Sequence, residues 1–107
     1  MVSIEWCKKQ NKGIRFTRPN KIISNDYLRK ADEALKVLQA SPSEEWKAVT
    51  GYYACYNGIY ALLQKAGIVC EIHDCTLLLL KFLDFNEEKI NFIENLKTQR
   101  INAQYYT

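Results

Sequence analysis

Glycine, proline and histidine are scarce in this 107-residue chain, which contains four, two and one of them respectively. The glycines, Gly13, Gly51, Gly58 and Gly67, are too widely spaced to form the glycine-rich loop that cradles a phosphate group. The sequence also has no HExxH motif, no CxxC pair and no motif of paired catalytic carboxylates. The usual sequence signatures of enzymes are therefore absent.

Long apolar runs are missing as well. Trp6 and Cys7 near the amino terminus are followed at once by a polar, lysine-rich stretch, so we expect no signal peptide and a cytoplasmic location. The segment between Lys47 and Lys65 carries no charge, but it is shorter than the ~20 apolar residues that span a bilayer and is interrupted by polar side chains. We therefore expect no contact with a membrane.

Charge is unevenly distributed along the chain. Apolar residues make up 48% and charged residues 25%, which is typical of one globular domain. Residues 1–22 carry six Lys or Arg and a single acid, for a net charge of +5, and the remaining residues carry −2. We divide the chain into a basic N-terminal arm, residues 1–21, and a helical bundle, residues 22–107. The arm is interpreted as a solvated lead-in, with contact to nucleic acid or to an acidic partner as the alternative.

The four cysteines are interpreted as reduced thiols, since they form no CxxC pair and two of them lie in apolar segments. Cys70, His73 and Cys75 form a Cys-x2-His-x-Cys pattern, but three ligands so close together leave the fourth position of a zinc site unfilled. The same residues offer no third group to orient a Cys–His nucleophile. We expect neither a metal nor a cofactor, and we expect His73 and Asp74 to start a helix through local hydrogen bonds.

Helical periodicity and capping residues predict an all-α fold. Apolar residues three and four apart, with a cap at Asn20 or Ser24, indicate a first helix over about residues 22–40. The sequence Ser41-Pro42-Ser43-Glu44 is a start signal for the second helix. Its first serine fits an N-cap, its proline the first helical position, and its glutamate completes a capping box. This second helix is expected to end near Gly67.

Two further helices are predicted in the second half of the chain. Asp74 is the expected cap of a third helix that contains Leu77–Leu80, which four consecutive leucines mark as deeply buried, and that ends near Asp84. Asn86 is the expected cap of a fourth helix, because two glutamates follow it and suit the first turn. Arg100 lies toward the end of this fourth helix.

The second helix, from about Ser43 to Ala66, is apolar on two faces. At 100° per residue, large side chains, four of them tyrosines, fall on one face and small residues fall on the opposite face. A helix that is apolar all round lies in the centre of a bundle or at a subunit interface. Both faces are therefore expected to contact protein, either within the bundle or at the interface of a homodimer. The residues expected to form that interface are Gly51, Tyr53, Cys55, Gly58 and Tyr60.

The end of the chain combines a cation, two amides and two phenols, in the order Arg100-Ile-Asn-Ala-Gln-Tyr-Tyr-Thr107. Such a set suits a phosphate, which an arginine binds in a bidentate manner, or a base, on which tyrosine rings stack. The alternative is structural: the arginine complements the C-terminal end of a helix and the tyrosines lie at an interface. From the residues alone we favour the structural alternative.

Three stretches together resemble the HEPN superfamily, and in particular its archaeal branch of small uncharacterised proteins. They are residues 46–63, WKAVTGYYACYNGIYALL, residues 67–76, GIVCEIHDCT, and residues 100–106, RINAQYY. The lead-in KGIR, followed by RPN, is also similar to that branch. The resemblance covers nearly the whole chain, and the three stretches in this order are more specific than any one of them.

The resemblance implies an antiparallel, up-and-down bundle of four main helices that forms a dimer and lacks the family's last helix. It also implies a partner, a minimal nucleotidyltransferase, in modules similar to toxin–antitoxin pairs. Active HEPN proteins are metal-independent endoribonucleases whose Arg-x4-6-His motifs meet across the dimer. Arg100 matches the arginine of that motif, whereas Tyr105 and Tyr106 stand where the histidine belongs. A tyrosine, with a pKa near ~10, does not exchange protons at pH 7 as a histidine does.

Three functions follow from this combination. The leading one is a HEPN-type binding and assembly domain whose motif has degenerated and which is not an enzyme. The second is a metal-independent endoribonuclease in which Arg100 acts with Asn102, Tyr105 or Tyr106, and the third is a purely structural dimerisation module. For the leading function, the residues expected to contact a nucleotide or RNA are Arg100, Tyr105, Tyr52, Tyr56 and His73.

Overall fold

The computed structural model describes residues 2–83 and 85–105, and these residues form five α-helices and one pair of short strands. The helices are α1, Ile4–Lys9; α2, Lys21–Ala40; α3, Glu44–Ala66; α4, His73–Leu79; and α5, Glu87–Tyr105. The strands are β1, Arg15–Phe16, and β2, Ile68–Val69, and a turn of 3-10 helix, Leu80–Phe82, follows α4. The prediction of an all-α helical bundle is confirmed.

The central element of the bundle is α3. Along one side it packs antiparallel to α2, where the Ser24 hydroxyl near the start of α2 donates a 2.7 Å hydrogen bond to the carbonyl of Ala61 near the end of α3. Helix α5 packs along another side and places Leu96 next to Gly51. The core around α3 contains six of the seven side chains that periodicity placed on its large face, namely Val49, Tyr52, Tyr56, Ile59, Tyr60 and Leu63. The seventh, Tyr53, is exposed.

Capping residues account for the starts of the two long helices α3 and α5. The hydroxyl of Ser43 accepts a 3.3 Å hydrogen bond from the backbone N–H of Trp46, so Ser43 caps α3. The predicted cap, Ser41, is instead the C-cap of α2. Two glutamates directly follow Ser43, and their negative charges favour a helix that starts there. The predicted cap of α5 is confirmed, because Asn86 accepts from the backbone N–H of Lys89 at 2.8 Å.

The predicted cap of α4 is wrong. The helix begins at His73, and Ile72 occupies the N-cap position without a side-chain hydrogen bond. Asp74 instead forms an ion pair with Lys97 of α5, so its carboxylate joins two helices rather than ending one. The predicted end of this helix at Asp84 lies outside the described residues.

The basic N-terminal segment is packed against the bundle and is not a solvated arm. Cys7 and Ile14 are buried in the same core as residues of α3, α4 and α5. Strand β1 pairs antiparallel with β2, with Arg15 opposite Val69. Arg15 also forms a 2.8 Å ion pair with Glu71. The segment therefore contributes to the fold that holds α4 in place.

A disulfide bond joins Cys7 of α1 to Cys75 of α4, while Cys55 and Cys70 are free. The interpretation of all four cysteines as reduced thiols is therefore wrong for Cys7 and Cys75. Apolar surroundings suit a buried thiol and a buried disulfide equally, and a separation of 68 residues gives no local signal of pairing. The bond anchors α1 two residues from His73.

Two glycines permit this close packing of the N-terminal segment. Gly67 ends α3 in the left-handed conformation, with φ of 81°, and its carbonyl accepts a 2.8 Å hydrogen bond from the N–H of Thr17. At Gly13, a Cβ atom would collide with the backbone carbonyl of Cys7. Because that neighbour is backbone, no side-chain movement would relieve the collision.

Candidate functional site

Aromatic and cationic side chains from three helices meet in one cluster. Helix α3 contributes Tyr52, Tyr53 and Tyr56, α4 contributes its first residue, His73, and α5 contributes Arg100. We call these five residues the Arg100 cluster. The tyrosines occur together because positions three and four apart share one face of a helix.

The imidazole of His73 is held by two tyrosines. It stacks on the ring of Tyr56 with 3.9 Å between centroids, and its Nδ1 lies 2.7 Å from the hydroxyl of Tyr52. Tyr52 is fully buried, and its hydroxyl has no other hydrogen-bond partner among the described residues. A buried hydroxyl must donate its proton somewhere, so Tyr52 donates to Nδ1 and the proton of neutral His73 resides on Nε2. His73 thus presents an N–H donor on the other side of its ring.

Burial shifts the pKa values of Tyr52, Tyr56 and His73 so that their neutral forms are favoured. It raises the pKa of Tyr52 well above its ordinary value and raises the pKa of Tyr56 to about 12. The pKa of His73 is lowered, first by burial and then by the positive charges of Arg100 and Lys97, while the charge of Asp74 opposes the shift. At neutral pH the positive charge of the cluster therefore resides on Arg100.

The guanidinium of Arg100 lies over two tyrosine rings. Its Cζ atom is 5.0 Å from the ring centroid of Tyr52 and 5.7 Å from that of Tyr53. Its Nη1 donates to the hydroxyl of Tyr53 at 3.3 Å and to Oε1 of Gln104 at 3.0 Å. Its Nε is enclosed and has no acceptor among the described residues. A buried donor without an acceptor costs about 1–3 kcal/mol, so an anion that drew the guanidinium into a new hydrogen bond would relieve this cost.

The structure brings together four of the residues expected to bind a nucleotide or RNA: Arg100, Tyr52, Tyr56 and His73. Of these, Tyr52 and Tyr56 are buried too deeply to touch a ligand, so they position Arg100 and His73 instead. Tyr53, which was assigned to a dimer interface, is 36% exposed and is the open aromatic face of the cluster.

Asn102, another C-terminal candidate, does not join the cluster. Asn102 is exposed and lies about 200° around α5 from Arg100. The side chain of Tyr105 and the whole of Tyr106 lie outside the described part of the chain. The structural alternative placed Arg100 at the C-terminal end of a helix. In the structure α5 continues to Tyr105, so Arg100 does not lie in the last turn of that helix.

The residues expected at a dimer interface have different surroundings. Gly51 and Tyr60 are buried within this chain, Tyr60 against the ring of Tyr27 at 4.5 Å between centroids. These two are therefore not available to a second copy. Cys55 and Gly58 are half-buried, and a Cβ added at Gly58 would meet no atom of the described residues within 4 Å.

Sequence reasoning missed two contacts of the site, although it counted Gln104 among the polar residues at the end of the chain. Gln104 accepts from Arg100 one turn further along α5, and the i, i+4 spacing could have indicated this pair. Thr76 lies 3.5 Å from the hydroxyl of Tyr56, a contact across helices that leaves no local pattern. Both contacts fix side chains that surround His73 and Arg100.

The surroundings of His73 also bear on a metal site. Its Nδ1 is engaged by Tyr52, and the sulfur of Cys75 is bonded to Cys7. Within residues 2–83 and 85–105 no group of three or more His, Cys, Asp or Glu side chains is arranged to hold a metal ion. Cys70, His73 and Cys75 therefore do not form a ligand set in this fold.

Comparisons of this chain with protein-family models, curated proteins and solved structures gave no match. No helix formed by the described residues is long and apolar enough to cross a membrane. Function is therefore inferred from the chemistry of the Arg100 cluster.

The single histidine provides a direct test of the cluster. We expect the imidazole signals of His73 in NMR spectra to titrate below the ordinary pKa near 6.5, and Arg100→Gln to raise the His73 pKa. Because the unfolded chain then binds more protons than the folded chain, the free energy of unfolding should rise with pH through this range and fall as pH drops below 6.5. Lys89→Gln, at an exposed position of α5, is the control and should leave the titration unchanged. A His73 pKa at or above its ordinary value would contradict the described environment.

Proposed function

We propose that this chain is a binding module of the HEPN type that holds a phosphate of a nucleotide or RNA at the Arg100 cluster. The observation that carries the proposal is the guanidinium of Arg100, placed over Tyr52 and Tyr53 with an enclosed Nε that lacks an acceptor. Arginine binds phosphate through parallel N–H donors, and its charge persists at all physiological pH values.

The neighbours of Arg100 support the same ligand chemistry. Nη2 makes no hydrogen bond to a described residue, so its N–H donors are left for a phosphate oxygen. The N–H of His73 Nε2 is a second donor, and it is neutral at pH 7, so it does not compete with Arg100 as a cation. The exposed ring of Tyr53 offers a surface on which a base can stack. Phosphate and base recognition are therefore both available within one cluster.

Assembly is part of the proposal. The half-buried Cys55 and Gly58, together with the exposed Leu62, leave a small-residue strip on α3 that would let a helix approach closely. We assign this strip to a second copy of the chain, and we propose a minimal nucleotidyltransferase as the partner of the dimer in a two-component module. Sedimentation should show a dimer, and a strict monomer at high concentration would contradict this assignment.

Binding of mononucleotides, measured by calorimetry, tests the phosphate site. Arg100→Ala is expected to weaken binding at least about tenfold, because a hydrogen bond to a charged group contributes roughly 1.5–3 kcal/mol. Arg100→Lys should restore part of the affinity, since lysine keeps the charge and loses the fork of donors. Lys89→Ala is the matched control on α5. Equal affinity of the wild-type and Arg100→Ala proteins, or no binding by either, would refute the proposed function.

A second function, metal-independent RNA cleavage, is favoured by one observation. The single histidine of the chain is absent from the C-terminal motif, yet the fold places it beside Arg100 as part of the same cluster. A general acid or base with a pKa near the working pH is what such a reaction requires. RNA cleavage in the presence of a chelator should then disappear in both Arg100→Ala and His73→Asn. Cleavage that persists in either variant would exclude this second function.

A further inference from the structure

A surface pocket of about 350 Å³ lies beside the Arg100 cluster, between the first turns of α3 and the end of α5. Its lining residues are Glu45, Trp46, Val49, Ala103 and Gln104. Small-molecule sites typically have volumes of roughly 300–1,000 Å³, so the pocket is large enough for one planar ring system. Gln104 belongs to both features, because its Oε1 accepts the 3.0 Å hydrogen bond from Arg100. A ligand that occupied both would need a ring and an anionic group about one helical turn apart.

The pocket supplies the flat surface that a nucleobase needs. The indole of Trp46 is 60% exposed, although it is one of the largest apolar side chains of the protein. Every base has a π-face that stacks on an aromatic ring, so this contact favours all four bases. Trp46 therefore accounts for the binding of a base but not for its identity.

The polar groups of the pocket do distinguish between bases. The carboxylate of Glu45 only accepts hydrogen bonds, and among the described residues it forms no ion pair, whereas the adjacent Glu44 lies 3.4 Å from Lys47. Gln104 has already used its carbonyl oxygen on Arg100, so its amide group is left as a donor. The described lining of the pocket thus offers two acceptor oxygens and one NH2 donor group.

We propose that this pocket binds guanine, as a nucleotide or as a residue of RNA, with the phosphate on Arg100; this inference rests on the proposed function. Guanine has a ring N–H and an amino group side by side, and the two oxygens of Glu45 accept from both. The guanine carbonyl next to them accepts from Gln104. Adenine and cytosine present an unprotonated ring nitrogen to the carboxylate, and uracil presents a single N–H between two carbonyls. Guanine is therefore the base that uses all three groups.

Fluorescence of Trp46 provides the experiment. Trp6→Phe removes the other tryptophan of the chain, so the remaining emission reports on the pocket alone. In titrations with GMP, AMP, CMP and UMP, we expect quenching by all four and binding of GMP at least about tenfold tighter than the others. Glu45→Gln should abolish this preference, because the amide replaces one of the two acceptor oxygens with an NH2 donor that faces a guanine N–H. Glu44→Gln, one residue away and outside the pocket, should preserve it.

The outcomes separate this inference from the proposed function. Equal binding of the four nucleotides, with loss in Arg100→Ala, would overturn the guanine site and leave the phosphate site intact. A GMP preference that survives Glu45→Gln would also overturn it, as would calorimetric binding without a change in Trp46 emission. Absence of binding for all four nucleotides would overturn both. A guanine-containing RNA oligonucleotide that binds more tightly than GMP, and that loses this advantage in Glu45→Gln, would assign the pocket to RNA rather than to a free nucleotide.

Discussion

Loss of the Cys7–Cys75 disulfide is expected to lower the free energy of unfolding by about 4 kcal/mol. The bond joins residues 68 positions apart, so it closes a loop that contains the whole of α2 and α3. Removing it restores the conformational freedom that this large loop takes from the unfolded chain. The strand pair of the segment that it anchors is short, since β1 and β2 contain two residues each.

Urea denaturation with and without a reducing agent measures this effect. The oxidised wild-type protein should unfold at a clearly higher urea concentration than the reduced protein. The double variant Cys7→Ala/Cys75→Ala should be insensitive to the reducing agent, and Cys55→Ala should retain the full difference because Cys55 is a free thiol. The same midpoint for oxidised and reduced wild-type protein would show that the bond does not form in solution.

Replacement of Tyr52 by alanine is expected to cost about 3–5 kcal/mol of stability, the range for truncation of a buried aromatic residue. Tyr52 has no exposed surface, and its ring lies 5.7 Å from that of Tyr53 and 6.0 Å from that of Tyr56. Truncation would leave a cavity in α3 and remove the ring beneath Arg100. Denaturation curves should show the loss, and nucleotide binding should weaken even where the variant is still folded.

The conservative variant Tyr52→Phe isolates the hydroxyl of Tyr52. It should cost about 1–2 kcal/mol, because Nδ1 of His73 loses its donor. The ¹⁵N chemical shifts of the imidazole should change as the proton redistributes between the two ring nitrogens. Tyr53→Phe, at a more exposed position, is the control and should change stability by no more than about 0.5 kcal/mol. Unchanged stability and unchanged imidazole shifts in Tyr52→Phe would refute the assigned hydrogen bond.

Local signals in the sequence were sufficient for α2, α3 and α5, whereas α1 and the two strands were not predicted. Asn86 followed by two glutamates predicts the start of α5, and the periodicity of α3 predicts most of its buried side chains, Tyr53 being the exception. The errors concern interactions between distant segments. Asp74 looks like a cap because nothing near it in sequence reveals Lys97, and the charges of the N-terminal segment conceal Cys7 and Ile14, which enter the core.

The candidate site was predictable in part. The identity of Arg100 and the tyrosine face of α3 are visible in the sequence. The role of each tyrosine is not visible in the sequence. Tyr52 and Tyr53 are adjacent and point in directions about 100° apart around the helix axis, so one is enclosed and the other is open. The contact between Tyr52 and His73 spans 21 residues and depends on where the connection after α3 directs the chain. No spacing rule could have supplied it.

The disulfide separates the residues of the Arg100 cluster into those inside the covalent loop that it closes and one residue outside that loop. Residues 7–75 form a covalent ring, and Tyr52, Tyr53, Tyr56 and His73 all belong to it. Arg100 lies outside the ring on α5, which is held by packing on α3 and by the ion pair of Lys97 with Asp74. Ile90 and Ile93 of α5 also enter the core that the ring encloses. Apart from the continuity of the chain after Cys75, Arg100 is therefore held against the tyrosines and the histidine of the ring by non-covalent contacts alone.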